Sequence, residues 1–132
     1  MEAAQRELYS NWKRLVNMSA EEVEAFLAEP EGQVAGLSRQ EARSQGIRSG
    51  QDSARRVIKM KRKPVEEWTM TDWDWAQRQV AFVRRMSGMQ GAMYDSRGTP
   101  TRKLLALMVW GHMPSEIKHK VSGRVTVRPG AR

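Results

Sequence analysis

The sequence predicts an all-α fold, a compact small multi-helix domain with a short extended or strand-like C-terminal tail. Three observations carry this expectation. Apolar residues recur at spacings of three and four through most of the chain, the period of one helical face. Ser or Thr followed by an acid three residues on, the signature of a helix start, occurs several times. Pro and Gly fall between the periodic stretches, where helices should stop.

Taken in order, Ala4, Leu8, Trp12, Leu15 and Val16 form one stripe over residues 2–16, predicting an amphipathic first helix. Ser19-Ala-Glu-Glu22 is a capping box, and the helix it opens should run to about Glu29 and stop at Pro30. Pro30, Gly32 and Gly36 suggest a turn-rich link. A second box, Ser38 to Glu41, opens a helix that Gly46 can close. Ser49 with Asp52 caps a third, running to Lys63 before Pro64, with Ala54, Val57 and Ile58 on its apolar face. Thr71 is expected to cap the next helix, with Asp72 and Asp74 opposing the positive end of its dipole. On that helix Trp73, Trp75, Ala76, Val80, Phe82, Val83 and Met86 form a wide apolar arc that ends near Gly88, so it should be central to the core.

Residues 88–99 read as a loop with a turn at Asp95–Gly98, and Thr99-Pro100 suits the start of a helix. Leu104–Trp110 is apolar on nearly every face and should be buried as a helix, a buried strand being the competing reading. Beyond Pro114 a turn at 116–120 leads into the alternating tail.

Composition limits the chemistry. A chain of 132 residues supports one modest core, and with no Cys it has no disulfide, thiolate metal cage or Cys nucleophile. No apolar run approaches the roughly 20 residues that span a bilayer, and the first residues do not resemble a signal peptide, so a cytoplasmic protein with no membrane partner is expected.

Charge is divided unevenly. Residues 1–35 hold three bases and seven acids, a net of −4, whereas the remainder carries +12 of the overall +8. The expected organisation is an acidic N-terminal helical segment (1–35), a basic helical core domain (36–120) and a basic extended tail (121–132). A basic body attracts polyanions, of which nucleic acid is the commonest in a cytoplasm.

The densest cluster is Arg55, Arg56, Lys59, Lys61, Arg62 and Lys63 on the third predicted helix, a face able to neutralise backbone phosphates. Arg78, Arg84, Arg85, Arg102 and Lys103 extend it. Trp68, in a link between helices, is the tryptophan expected to be exposed and able to stack on a base. Gly98-Thr-Pro-Thr-Arg102 has the makings of a generic anion site at a helix start. Catalytic signals are thin. His112 and His119 lack partners at metal-ligand spacing, and Asp72, Asp74, Glu66 and Glu67, which could hold Mg²⁺, are explained by helix electrostatics. No catalytic residue, metal or cofactor is expected.

Ala35-Gly-Leu-Ser-Arg, Gly46–Arg55, Trp73–Met86, Tyr94–Leu107 and Trp110-Gly-His112 together resemble small basic proteins of unknown function encoded by tailed bacteriophages and large DNA viruses. The resemblance covers residues 19–114. It implies a viral origin and a role inside an infected host, and brings no activity or catalytic residues with it. The expected function is non-catalytic nucleic-acid binding, to DNA rather than RNA. The competing readings are a protein that binds and modulates a host protein, and a small structural component of a virion assembly.

Overall fold

The computed structural model of the chain describes residues 1–33, 50–114 and 117, and every regular element among them is helical. Helix α1 spans Ala3–Leu15, α2 Ala20–Ala28, the single turn α3 Pro30–Gln33 and α4 Gly50–Lys61. A 3₁₀ turn at Val65–Glu67 leads to α5, Met70–Gly88, and then α6, Arg102–Val109. The all-α class is therefore the observed one. The expected helix from Ser38 to Gly46, the Ser49 cap, His119, the turn at 116–120 and the tail at 121–132 lie outside the described residues.

Local chemistry accounts for most of the boundaries. Ser19 caps α2 reciprocally: its Oγ accepts from the Glu22 N–H at 3.1 Å, and Glu22 Oε1 accepts from the Ser19 N–H at 2.8 Å. Pro30 does not open a loose link. It starts the α3 turn, where a residue without an N–H loses nothing.

Two other starts differ from expectation. Thr69, not Thr71, caps α5, with its Oγ1 accepting from the Asp72 N–H at 3.3 Å and Asp72 Oδ2 accepting from the Thr69 N–H at 2.9 Å. Thr101, not Thr99, caps α6, accepting from the Leu104 N–H at 3.4 Å. Thr99 is held in the preceding turn, where Asp95 Oδ1 accepts from the N–H groups of Arg97 and Thr99. Pro100 is buried in an isolated bridge to Tyr94. The Leu104–Val109 segment is a helix rather than a strand.

One core joins both halves of the chain. Trp12, Val16, Met18, Val23 and Phe26 pack with Val57, Met60, Trp75, Val80, Leu104, Met108 and Met113. Helix α1 lies against α5, and α2 against α4. The acidic N-terminal segment is thus part of the domain and not an appendage, because its apolar stripes have no other surface to bury.

Polar contacts fix that packing. Trp12 Nε1 donates to Gln79 Oε1 at 2.6 Å inside the core. The α1–α2 turn is tied to the end of α6 by Asn17, which donates to the Met113 carbonyl and accepts from its N–H, each at 2.9 Å. The Met18 N–H donates to the Gly111 carbonyl at 3.0 Å. Gly111 adopts φ +86°, and a Cβ there would stand 2.7 Å from Val16 Cγ1, so glycine is required twice over.

Candidate functional site

The cations of α4 separate into two groups according to what packs beside them. Arg56 and Lys63 turn toward the start of α5, where they grip Asp72. Arg56 Nη1 lies 3.1 Å from Oδ1 and Lys63 Nζ 2.8 Å from Oδ2, and the Asp72 side chain has no exposed surface. Burial alone would raise the Asp72 pKa. The Lys63 hydrogen bond, the Thr69 N–H and the Lys63 charge outweigh it and hold the carboxyl at about 2. On the other flank Arg62 forms a two-pronged pair with Glu24 of α2, at 2.6 and 3.0 Å, which holds the Glu24 carboxyl below its usual range. Lys61 Nζ sits 4.4 Å above the Trp12 ring and donates to the Val16 carbonyl. Lys61 and Lys63 therefore hold helices together, while Arg62 stays exposed in a solvated pair with Glu24 that links α4 to α2.

Arg55 and Lys59 are exposed, one turn apart, with Asp52 3.8 Å from the Arg55 guanidinium. Together with Arg56 they line an open cleft of about 320 Å³ between α4 and α5, closed on one side by Trp75. Arg56 is pre-positioned there, held by Asp72 and lying 5.7 Å from the centroid of the Trp75 ring.

The face of α5 that carries Trp75 continues beyond the cleft. Trp75, Arg78, Phe82 and Arg85 follow at spacings of three, four and three, which place them on one helical stripe. Trp75 contacts Trp110 at 6.4 Å between ring centroids, Trp110 stacks on Phe82 at 4.3 Å and 13°, and the Arg85 guanidinium stands 5.7 Å from the Phe82 centroid. Arg78 and Arg85 are exposed, and Phe82 and Trp110 are partly so. Two arginines thus alternate with Trp75 and Phe82 along α5, and Trp110 packs between those two rings.

The model of a protein family of unknown function, DUF3140, matches residues 11–108. The chain belongs to the DUF3140 family. That span runs from the end of α1 into the last turn of α6, so it includes Trp12, the Asp72 clamp and the cleft, and stops just short of Trp110. No curated protein and no solved structure shows detectable similarity to the chain.

The other residues singled out from the sequence take varied places in the DUF3140 domain. Arg84 is exposed but lies half a turn from Trp75, on the far side of α5. Arg102 is exposed at the end of α6 remote from Trp110. Lys103 pins the preceding loop, donating to the Met89 and Gly91 carbonyls at 2.6 and 3.2 Å.

The anion site expected near Gly98–Arg102 loses two of its groups to structure: Lys103 to the loop, and Thr101 to capping and to the Ala92 carbonyl. Trp68 is buried, contrary to the expectation of exposure. It packs edge-on against Tyr9, Trp12 and Trp73, so it offers no face to a base. His112 places Nδ1 2.5 Å from the Leu15 carbonyl, a contact that requires the proton on Nδ1. Among the described residues no cluster of three or more His, Cys, Asp or Glu side chains could hold a metal ion.

Sequence reasoning assigned Phe82 to the core and treated Trp110 as part of a wholly apolar helix. The signal for their partial exposure was the company of Arg78 and Arg85 on the same α5 stripe.

Proposed function

We propose that this DUF3140 domain binds nucleic acid without catalysing a reaction, with phosphate contacts from Arg55, Lys59, Arg78 and Arg85. One observation carries the reading: the exposed Arg55 and Lys59 of α4 line an open cleft, with Asp52 and Trp75, that the half-buried and already oriented Arg56 also enters, and Arg78 and Arg85 follow Trp75 on the same stripe of α5. Phosphate oxygens suit such a site, since a pre-ordered guanidinium loses little freedom on accepting them. Lys61, Arg62 and Lys63, tied to the Val16 carbonyl, Glu24 and Asp72, are left out of the interface, which makes the footprint smaller than the raw charge of α4 suggests.

Four phosphate contacts should make the logarithm of affinity fall against log salt with a slope of roughly −3. Fluorescence anisotropy with labelled DNA and RNA, titrated at low and moderate salt, tests this. Salt-sensitive binding supports the proposal. Absence of any binding at low salt overturns it.

A further inference from the structure

We infer that the nucleic acid this site accepts is single-stranded, with a base stacking on the Phe82–Trp110 pair; the inference rests on the nucleic-acid reading above. A duplex reader needs a helix that protrudes into the major groove with an open face. Helix α4 is not of that kind. Ser53, Ala54, Val57 and Met60 are buried along it, and α2, α5 and α6 all pack against it. Arg56 and Lys63 are drawn to α5 and the exposed Arg62 is paired with Glu24 of α2, which leaves Arg55 and Lys59 as the exposed cations of α4 beside the cleft.

A single strand needs less: a cationic track for its backbone, with aromatic rings beside it for its bases. The α5 stripe has both within one face. Arg78 and Arg85 alternate with Trp75 and Phe82, and Phe82 and Trp110 lie nearly parallel and partly exposed. A base extending this stack lies on the outer side of Phe82, and the exposed Arg85 guanidinium now near that ring is free to turn to the adjoining phosphate.

The molecule's other aromatic group is more enclosed. Trp12 and Trp68 are buried, Lys61 covers Trp12, and Lys13 stands over Tyr9.

The test compares a fluorescein-labelled oligothymidylate with a labelled duplex of equal length, using the full chain and its Phe82→Leu variant. Leu keeps an apolar side chain at this position while removing the stacking face. The expected result is tighter binding of the oligothymidylate, weakened about fivefold or more in Phe82→Leu, with any duplex binding unchanged. Duplex binding equal to or tighter than that of the single strand, or oligothymidylate binding indifferent to Phe82→Leu, overturns the inference and leaves the binding proposal standing. Failure of the wild type to bind either probe overturns both.

Tryptophan emission gives a second readout that does not depend on Phe82→Leu folding. Unlabelled oligothymidylate should quench the wild type, and Trp110→Phe should lose most of that quenching. Quenching retained in Trp110→Phe contradicts stacking at this pair.

Discussion

Lys63, the last residue before Pro64, donates to the buried carboxylate of Asp72 in the first turn of α5, at 2.8 Å. Pro64 and the 3₁₀ turn reverse the chain between them, and Arg56 takes the second oxygen from one side. A run of bases that reads as a ligand-binding face is in part a clamp joining α4 to α5. The stability of the fold and the proposed ligand contacts therefore rest on different residues of α4, and they can be measured apart.

The Asp72 carboxyl titrates at about 2 in the folded chain against an ordinary 3.8. A folded pKa below the unfolded one means that ionisation favours folding, so the contribution is complete above about pH 4 and lost as pH falls through about 2. It amounts to about 2 kcal/mol. Urea unfolding should show Asp72→Asn less stable than wild type by a gap that is flat from neutral pH to about pH 4 and shrinks by about that amount near pH 2. A gap that is unchanged at low pH contradicts the clamp.

Removing one cation from the clamp leaves a buried charge short of its partner. Lys63→Gln should cost about 3 kcal/mol, toward the lower end of the range for buried pairs because Arg56 remains. Lys59→Gln, at an exposed position, should fall within about 0.5 kcal/mol of wild type. Chemical denaturation checks both, and equal effects would show that Lys63 is no more structural than Lys59. A binding defect in Arg56 or Lys63 variants therefore needs a stability measurement beside it.

Gln79 has no exposed surface and accepts from the Trp12 indole at 2.6 Å. Replacing it with Leu makes the side chain apolar and leaves the indole N–H without its acceptor, at a cost of about 1–3 kcal/mol. Trp12→Phe should also destabilise. In the double variant both polar groups are gone, so its loss should be smaller than the sum of the two single losses. Strict additivity in a thermal-denaturation cycle would contradict the coupling.

Gly111→Ala forces a side chain into a left-handed backbone conformation and against Val16 and Val57. The strain and overpacking together should cost about 3 kcal/mol, or roughly 10 °C in Tm. A Tm within about 2 °C of wild type would show that the α1–α2 turn and the end of α6 separate easily.

The helices were legible where a single segment contains its own reason. The Ala4–Val16 stripe, the Ser19 box and the apolar run after Thr101 specify elements through contacts of short range. The site was less so. Asp72 obeys a local rule for helix starts, and nothing in that rule reveals that Lys63 and Arg56, nine and sixteen residues earlier, meet it in the interior. Thr69 and Thr71 each have an Asp three residues on, and the Thr69 register is the one that directs Asp72 toward those cations. Gln79 interrupts an apolar arc and reads as solvent-facing until the indole of Trp12 is seen beside it. Trp68 lies in a link, where exposure is the usual expectation, but three aromatic rings from α1 and α5 enclose it. The raw count of bases likewise hides which of them Glu24 and Asp72 neutralise.

The most direct test of the proposed interface compares Arg55→Gln/Lys59→Gln with Arg62→Gln in oligothymidylate binding at low salt, after circular dichroism has shown both folded. The arrangement of the cations predicts that the double variant loses about tenfold or more in affinity and about 1.5 units of salt slope, whereas Arg62→Gln binds like wild type because Glu24 already neutralises its guanidinium. Loss in Arg62→Gln equal to or greater than that in the double variant would contradict the division of α4 into a structural and a ligand-facing set.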